Sequence, residues 1–231
     1  MESDKRKIGV IIPAFNEEAS IAKVIADIPD YVDEIVVVNN ASTDRTQEAA
    51  EHAGATVLLE NRKGYGYACL KGIDYFNAKE DRPGILVFLD GDYSDYPEQM
   101  TEVLEPILKR NADMVIGSRA LGNRADKSMT VPQIFGNWLA TNLIKVFYKV
   151  SFTDLGPFRA IKLDELNALK MQDTTYGWTV EMQVKAAKNG LRSVEVPVNY
   201  KARIGVSKVS GTVKGTIMAG YKILWTIFKY L

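Results

Sequence analysis

The chain has 231 residues, 46% of them hydrophobic, with 29 basic and 29 acidic side chains, one histidine and one cysteine. That length suits a single large domain with a full core, and a lone Cys69 excludes a disulfide framework or a cysteine-based zinc site. The charged start MESDKRK lacks the apolar segment of a signal peptide, and no stretch approaches the roughly 18 uncharged apolar residues of a membrane span; an intracellular, cytoplasmic protein is expected. The zero net charge hides an asymmetry. Residues 1–118 hold 12 Lys and Arg against 22 Asp and Glu, residues 119–231 hold 17 against 7, and no acid follows Glu195. Either two parts of one fold offset each other, or the basic half faces anions such as phosphates or lipid headgroups.

In chain order, KIGVIIPAF is an apolar strand ended by Pro13, and EEASIAKVIADI has helical spacing at Ile21, Val24, Ile25 and Ile28. VDEIVVVNNAS is a second buried strand with a polar end. STDRTQEAAEHAG predicts a helix opened by Ser42 or Thr43 and stopped by Gly54. ATVLLEN is a third strand, GYACLKGIDYFNAK a helix behind a Gly-rich turn, and GILVFLD a fourth strand. PEQMTEVLEPILKRN is a helix interrupted by Pro106, and ADMVIGSR a fifth strand. Strands alternating with such helices predict βαβ units and a largely parallel sheet. The second half is less regular. VPQIFGNWLATNLIKVFYKV is an apolar helix, FTDLGPFRAI a strand-like piece carrying Asp154, GWTVEMQVKAAKNG a helix, and SVEVPVNYKARIGVSK a strand with a basic end. The tail from 212 to 231 is an amphipathic helix with Ile217, Tyr221, Leu224 and Phe228 on one face. The expected organisation is one domain over 1–211, divided at 118 where the charge balance reverses, followed by that helix.

Ligands of parallel α/β sheets sit beyond the carboxyl ends of the strands. Polar clusters fall at those ends: Asn16-Glu17, Asn39-Asn40, Asn61-Arg62-Lys63, Asp90 to Asp95, and Ser118-Arg119. Asp90 and Asp92, two apart in extended backbone, point the same way. Converging carboxylates after a buried strand suit Mg²⁺ or Mn²⁺, which share their coordination with water and phosphate. A nucleoside diphosphate ligand follows from that chemistry. Lys63, Gly64 and Gly66 stand where a backbone comes close to phosphate, although the spacing matches neither the P-loop nor G-x-G-x-x-G. His52, the only histidine, lies in a helix away from every strand end, so Ser-His catalysis and His-ligated zinc are not expected. Cys69 reads as a small packing residue.

The ordered set VIIPAFNEEASI, VVVNNASTDRT, NRKGYGYACLKG, LDGDYSDYPEQ, GSR and YKARIGVSK resembles family 2 glycosyltransferases of the GT-A fold, most like the branch of dolichyl-phosphate mannose and glucose synthases. The resemblance spans nearly the whole chain. It implies an α/β GT-A fold, a Rossmann-like, mostly parallel sheet flanked by helices. It also implies a donor site of Pro13, Phe15, Glu17, Asn39, Asn40, Asp44, Lys63, Gly64, Asp90 and Gly91, with Asp90 and Asp92 on the metal. Asn39-Asn40 replaces the acidic pair common in relatives, which leaves the base preference open. Ser94 stands where that branch often has Gln, so Asp95 or water would complete the metal shell. Arg119, Arg203, Ser207 and Lys208 match an acceptor-phosphate element, with Arg124 and Lys127 on a nearby loop.

The acceptor decides the chemistry. A sugar hydroxyl needs a base, for which Asp154 or Glu181 is the candidate; a polyprenyl phosphate is already an anionic nucleophile and needs only cations to position it. With one unpromising histidine and a basic C-terminal half, the reading is inverting, metal-dependent transfer from a UDP- or GDP-sugar to polyprenyl phosphate. Asp92, Arg119, Asp154, Arg203 and Lys208 would form the catalytic set. The helices at 132–149 and 212–231 would rest peripherally on the cytoplasmic face of a membrane. The alternatives are a hydroxyl acceptor, a nucleotidyltransferase, or a silent nucleotide-sugar binding protein. No nucleic acid partner is expected, and a homo-oligomer is left open.

Overall fold

The computed structural model describes residues 7–126, 128–205 and 213–231, with the side chains of 213, 214 and 216 outside the description. Seven strands form one sheet: β1 (Ile8–Ala14), β2 (Glu34–Asn39), β3 (Thr56–Leu59), β4 (Ile85–Phe88), β5 (Met114–Ser118), β6 (Arg159–Lys162) and β7 (Ser193–Pro197). The helices are α1 (Ile21–Ala26), α2 (Thr46–His52), α3 (Tyr65–Asn77), α4 (Met100–Leu108), α5 (Val131–Tyr148), α6 (Leu163–Leu169), α7 (Trp178–Lys188) and α8 (Val213–Lys229).

The strand order is β3-β2-β1-β4-β6-β5-β7. All neighbours are parallel except β6, which runs antiparallel to both β4 and β5, pairing Phe88 and Ile116 with Arg159. The sheet is therefore mostly parallel as expected, and β6 is the departure. The strand-like 152–161 segment enters the middle of the sheet from the ligand end, bringing the loop before Arg159 to the rim. Alternate strand residues feed two cores. Ile11, Val36, Leu86, Phe88 and Ile116 face α3, α5, α7 and α8. Val10, Ile12, Val37, Ile85, Val87 and Val115 face α1, α2 and α4. Each fully buried aliphatic side chain contributes about 1.5–3 kcal/mol relative to exposure.

Two local predictions change. The α2 helix opens at Thr46 rather than at Ser42 or Thr43, because Asp44 Oδ1 accepts from Thr46 N (3.0 Å). Ser42 and Thr43 are instead drawn to Asn16, whose N donates to Ser42 Oγ (2.9 Å) and whose Oδ1 accepts from Thr43 N (2.8 Å). The α4 helix keeps Pro106 inside its last turn after a short 3₁₀ turn over Pro97–Gln99. Helix α5 begins with a capping box, Thr130 with Gln133, and ends at Lys149 in a left-handed conformation (φ 61°). Helix α8 packs on α5 and α7, with Thr226 and Ile227 buried. The face carrying Ile217, Tyr221 and Phe228 points outward.

Candidate active site

A cavity of about 570 Å³ opens at the carboxyl ends of the strands. Of the residues singled out from sequence, Pro13, Phe15, Glu17, Asn40, Lys63, Gly64, Asp90, Gly91, Asp92, Arg119 and Arg203 line it. Asn39, Asp44, Arg124, Asp154 and Glu181 do not. Ser207, Lys208 and Lys127 lie outside the described residues.

The carboxylate pair converges by a different geometry from the one its spacing suggests. Strand β4 ends at Phe88, and Asp90 to Tyr93 form a turn with Tyr93 at φ 64°. The turn is fixed from within: Asp92 Oδ1 accepts from Ser94 N (2.9 Å) and from Ser94 Oγ. Ser94 thus orients Asp92. The buried Oδ1 of Asp90 has no hydrogen-bond partner, and neither oxygen of Asp95 has one. Burial first, and then the neighbouring charge of Asp92, pushes Asp90 up to about 7. Burial, followed by the charges of Asp90 and Asp92, raises Asp95 as well. An orphaned carboxylate oxygen beside a second carboxylate, both facing a cavity, is a donor set that suits a hard divalent cation. Among the described residues no three His, Cys, Asp or Glu side chains are grouped to hold a metal. Asp90 and Asp92 are therefore a pair that would rely on ligand oxygens or water, with Asp95 as a buried neighbour.

Three predicted donor-site residues serve the scaffold. Asn40 Nδ2 donates to the carbonyls of Glu60 (3.2 Å) and Arg62 (2.7 Å), and its Oδ1 accepts from Gly64 N (2.8 Å). One amide thus staples the 60–64 loop to the end of β2. Asn39 Oδ1 accepts from Ser42 N (3.0 Å). Asp44 accepts from Thr46 and from Glu18 N (3.2 Å), and Thr46 Oγ1 in turn accepts from Glu17 N (2.7 Å). These residues build the rim that presents Phe15 and Glu17. The glycines also differ from expectation. A Cβ on Gly64 would lie 2.3 Å from Thr174 O, and one on Gly66 2.0 Å from Asp173 O. The 173–174 backbone, rather than a phosphate alone, requires them. Lys63 Nζ stands 5.2 Å from the Phe15 ring centroid, at the cavity wall.

On the opposite wall, Arg119 is gripped by Asp154: Nε to Oδ2 at 2.8 Å, Nη2 to Oδ1 at 2.7 Å, and backbone N to Oδ2 at 2.8 Å. Burial works to raise Asp154, but the charge and hydrogen bonds of Arg119 outweigh it and hold the carboxyl below its ordinary range. Burial works against charge on Arg119 too, and Asp154 overrides it upward. The guanidinium also lies 5.0 Å from the Tyr200 ring centroid. Glu181 accepts from Gln172 N (3.0 Å), Asp173 N (2.6 Å), Tyr230 Oη (2.6 Å) and Lys185 Nζ (2.7 Å). Neither carboxylate named as a candidate base faces the cavity with an open oxygen. Arg203 pairs with Asp92 Oδ2 and comes within 3.9 Å of Glu17 Oε1.

Sequence reasoning passed over Tyr65, Trp178 and Tyr200, which also line the cavity, and the buried Arg159. Arg159 donates to Thr179 O (3.0 Å), Leu155 O (3.2 Å) and Gly156 O, tying the turn after Asp154 to α7. A single arginine inside an apolar strand was the one available signal. Beyond the polar centre, the cavity continues between α5 and α8 along Pro132, Gly136, Ala219, Gly220 and Ile223. A Cβ at Gly136 or Gly220 would meet nothing within 4 Å.

Comparison with known proteins agrees with this geometry. The glycosyl transferase family 2 profile matches residues 9–166. The undecaprenyl-phosphate mannosyltransferase of Micrococcus luteus is 32% identical over 222 residues, covering 90% of each chain. An uncharacterized glycosyltransferase of Mycobacterium tuberculosis is 33% identical over 219 residues, covering 92% of this chain and 94% of its own. Among solved structures, M. tuberculosis glucosyl-3-phosphoglycerate synthase, in complex with Mn²⁺, UDP and phosphoglyceric acid, superposes with a TM-score of 0.76 at 21% identity, covering 97% of this chain and 78% of that one. With a GT-A fold, a carboxylate pair at the strand ends and this degree of relatedness, the chain belongs to glycosyl transferase family 2.

Proposed function

We propose that the protein transfers a sugar from a UDP- or GDP-sugar to polyprenyl phosphate, with inversion, using Mg²⁺ or Mn²⁺. The observation that carries this is the continuity of one cavity, from Asp90 and Asp92 past Arg119 and Arg203 to an apolar groove between α5 and α8. Such a cavity fits an anionic head and an apolar tail together. The name of the M. luteus relative, and the Mn²⁺ and UDP held by the structural neighbour, support the same reading.

Asp90 and Asp92 would hold the cation, which when bound offsets charge on the departing diphosphate. Pro13, Phe15 and Lys63 flank the nucleoside, on a loop that Asn40 fixes. Arg119, preorganised by Asp154, offers a rigid planar cation to the acceptor phosphate. Arg203 and Lys208 would add to that charge, and Ser207 would offer a hydroxyl donor. The acceptor oxygen bonds to the anomeric carbon while the bond to the nucleoside diphosphate breaks, and the electron pair leaves with the diphosphate. No proton has to be removed. That matches a site in which Asp154 and Glu181 are already engaged. Family membership sets aside the nucleotidyltransferase alternative.

The outer faces of α5 and α8 expose Phe135, Trp138, Phe147, Tyr221, Trp225 and Phe228. Lys145, Lys149 and Lys229 lie beside them, and neither helix has an acidic residue. Aromatic and basic residues without acids suit an anionic lipid interface. Among the described residues no helix is long and apolar enough to cross a membrane. The test is a panel of UDP-, GDP- and dTDP-sugars with Mg²⁺ or Mn²⁺, offered polyprenyl phosphate and a simple sugar side by side, scored by nucleoside diphosphate release. Turnover with the lipid phosphate, abolished in Asp92→Asn, is expected. Preference for the sugar hydroxyl would reassign the acceptor.

A further inference from the structure

The segment after β7 crosses the site as a strap. Lys201 N donates to Ser94 O (2.9 Å) and Ile204 N to Asp92 O (2.9 Å). The Lys201 ammonium sits between two rings, 3.3 Å from the Tyr93 centroid and 4.4 Å from that of Tyr96. Tyr200 stacks on Arg119 at 5.0 Å. The strap therefore touches both the acceptor-side cation and the carboxylate turn, and between these anchors it delivers Arg203 onto Asp92 Oδ2. Because Ser94 takes the other oxygen of Asp92, both are occupied. Only Asp90, of the pair, keeps a buried oxygen without a partner.

Two neighbouring carboxylates repel, and a guanidinium between them and Glu17 relieves that repulsion. A divalent cation does the same with twice the charge and repels the guanidinium. The two cations compete for one oxygen. We infer that Arg203 is a resident counter-cation for Asp92, which a divalent ion arriving with the donor displaces, and that the freed guanidinium then joins Arg119 in binding the acceptor's phosphate. The inference rests on the metal-dependent transfer proposed above and adds to it the group that holds Asp92 before the ion arrives. Arg203 thus reaches the acceptor's phosphate only when the ion side is filled.

Binding, rather than turnover, tests this. Mn²⁺ alone is titrated into the full chain and free Mn²⁺ is followed by electron paramagnetic resonance, in wild type, Arg203→Gln, Arg203→Lys and Asp92→Asn. Removing the competitor is expected to tighten Mn²⁺ binding about three- to tenfold in Arg203→Gln. Arg203→Lys, which keeps the charge, should stay near wild type, and Asp92→Asn should lose the site. Equal Mn²⁺ affinity in wild type and Arg203→Gln, measured in the presence of nucleoside diphosphate if Mn²⁺ alone does not bind, overturns the inference. A second measurement uses farnesyl phosphate as the acceptor probe in calorimetry. Its affinity for wild type should rise about threefold or more when Mn²⁺ and a nucleoside diphosphate are both present, and Arg203→Gln should lose that gain; no gain in wild type also overturns the inference. If wild type binds no Mn²⁺ even with nucleoside diphosphate, the metal-dependent reading itself fails, a result distinct from either of these.

Discussion

Asn40 shows how a residue type can be legible while its task is not. Its place at the end of β2 marked it for the donor, yet its amide spends both donor and acceptor on the 60–64 loop. Asn40→Asp keeps the acceptor but turns a carboxylate toward two carbonyls, each unmet group costing about 1–3 kcal/mol. The expected result is a lower melting temperature and weaker nucleoside diphosphate binding, read by thermal denaturation and calorimetry. Asp154→Asn removes the partner of a buried guanidinium and is expected to cost about 3–5 kcal/mol in urea unfolding, because Arg119 keeps its charge. Asp113, at the far end of the sheet, accepts from Arg192 (2.8 Å) and Lys162 (2.6 Å), whose hydrogen bonds hold its carboxyl well below the ordinary range. Its contribution is present above the unfolded carboxylate value of about 3.9 and is lost as pH falls through the lower folded value. Asp113→Asn should therefore flatten the acid limb of a stability–pH curve while leaving nucleoside diphosphate affinity unchanged.

At the level of elements, continuous apolar runs predicted the parallel strands well, since a strand buried on both faces needs apolar residues at successive positions. It did not reveal that β6 would insert antiparallel between β4 and β5, because a short segment such as RAIK carries no mark of direction. Nor could GYG show that its glycines admit the 173–174 backbone, a neighbour more than 100 residues away in sequence. Gly66→Ala is expected to destabilise by roughly 1–3 kcal/mol or more through overpacking, measurable by chemical denaturation, since the clash is with backbone that has nowhere to go. Helix α8 was legible as amphipathic, and Ile217, Tyr221 and Phe228 of the face read from its spacing do point outward; the spacing did not show that Ile223 and Ile227 would meet the core on another side. Gly136→Leu and Gly220→Leu would fill the groove between α5 and α8. Nucleoside diphosphate binding should persist while turnover with polyprenyl phosphate falls about tenfold or more, a loss of about 1.4 kcal/mol or more.

For the whole molecule, the charge asymmetry between chain halves finds its place in the cavity. The acidic half supplies Asp90, Asp92 and Asp95, and the basic half supplies Arg119, Arg159 and Arg203 around them. Charges far apart in sequence are thereby neutralised locally. The remaining basic and aromatic surface on α5 and α8 predicts co-sedimentation with vesicles containing anionic lipid, weakened by salt and by Trp138→Glu with Trp225→Glu. Equal recovery with neutral vesicles in high salt would argue against an electrostatic component.

The sequence by itself determined the fold class, the rim of the sheet that carries the site, and the identity of the carboxylate and guanidinium groups there, because strand periodicity and polar strand ends are local properties of the chain. Tertiary structure alone decided which of those groups remain open to a ligand. Asn40, Asp44, Asp154 and Glu181 are consumed by partners brought from other parts of the chain, and Arg203 is laid across Asp92 from 111 residues downstream. Hydrogen-bond and ion-pair capacity is finite, and which partner claims it is settled only when distant segments meet.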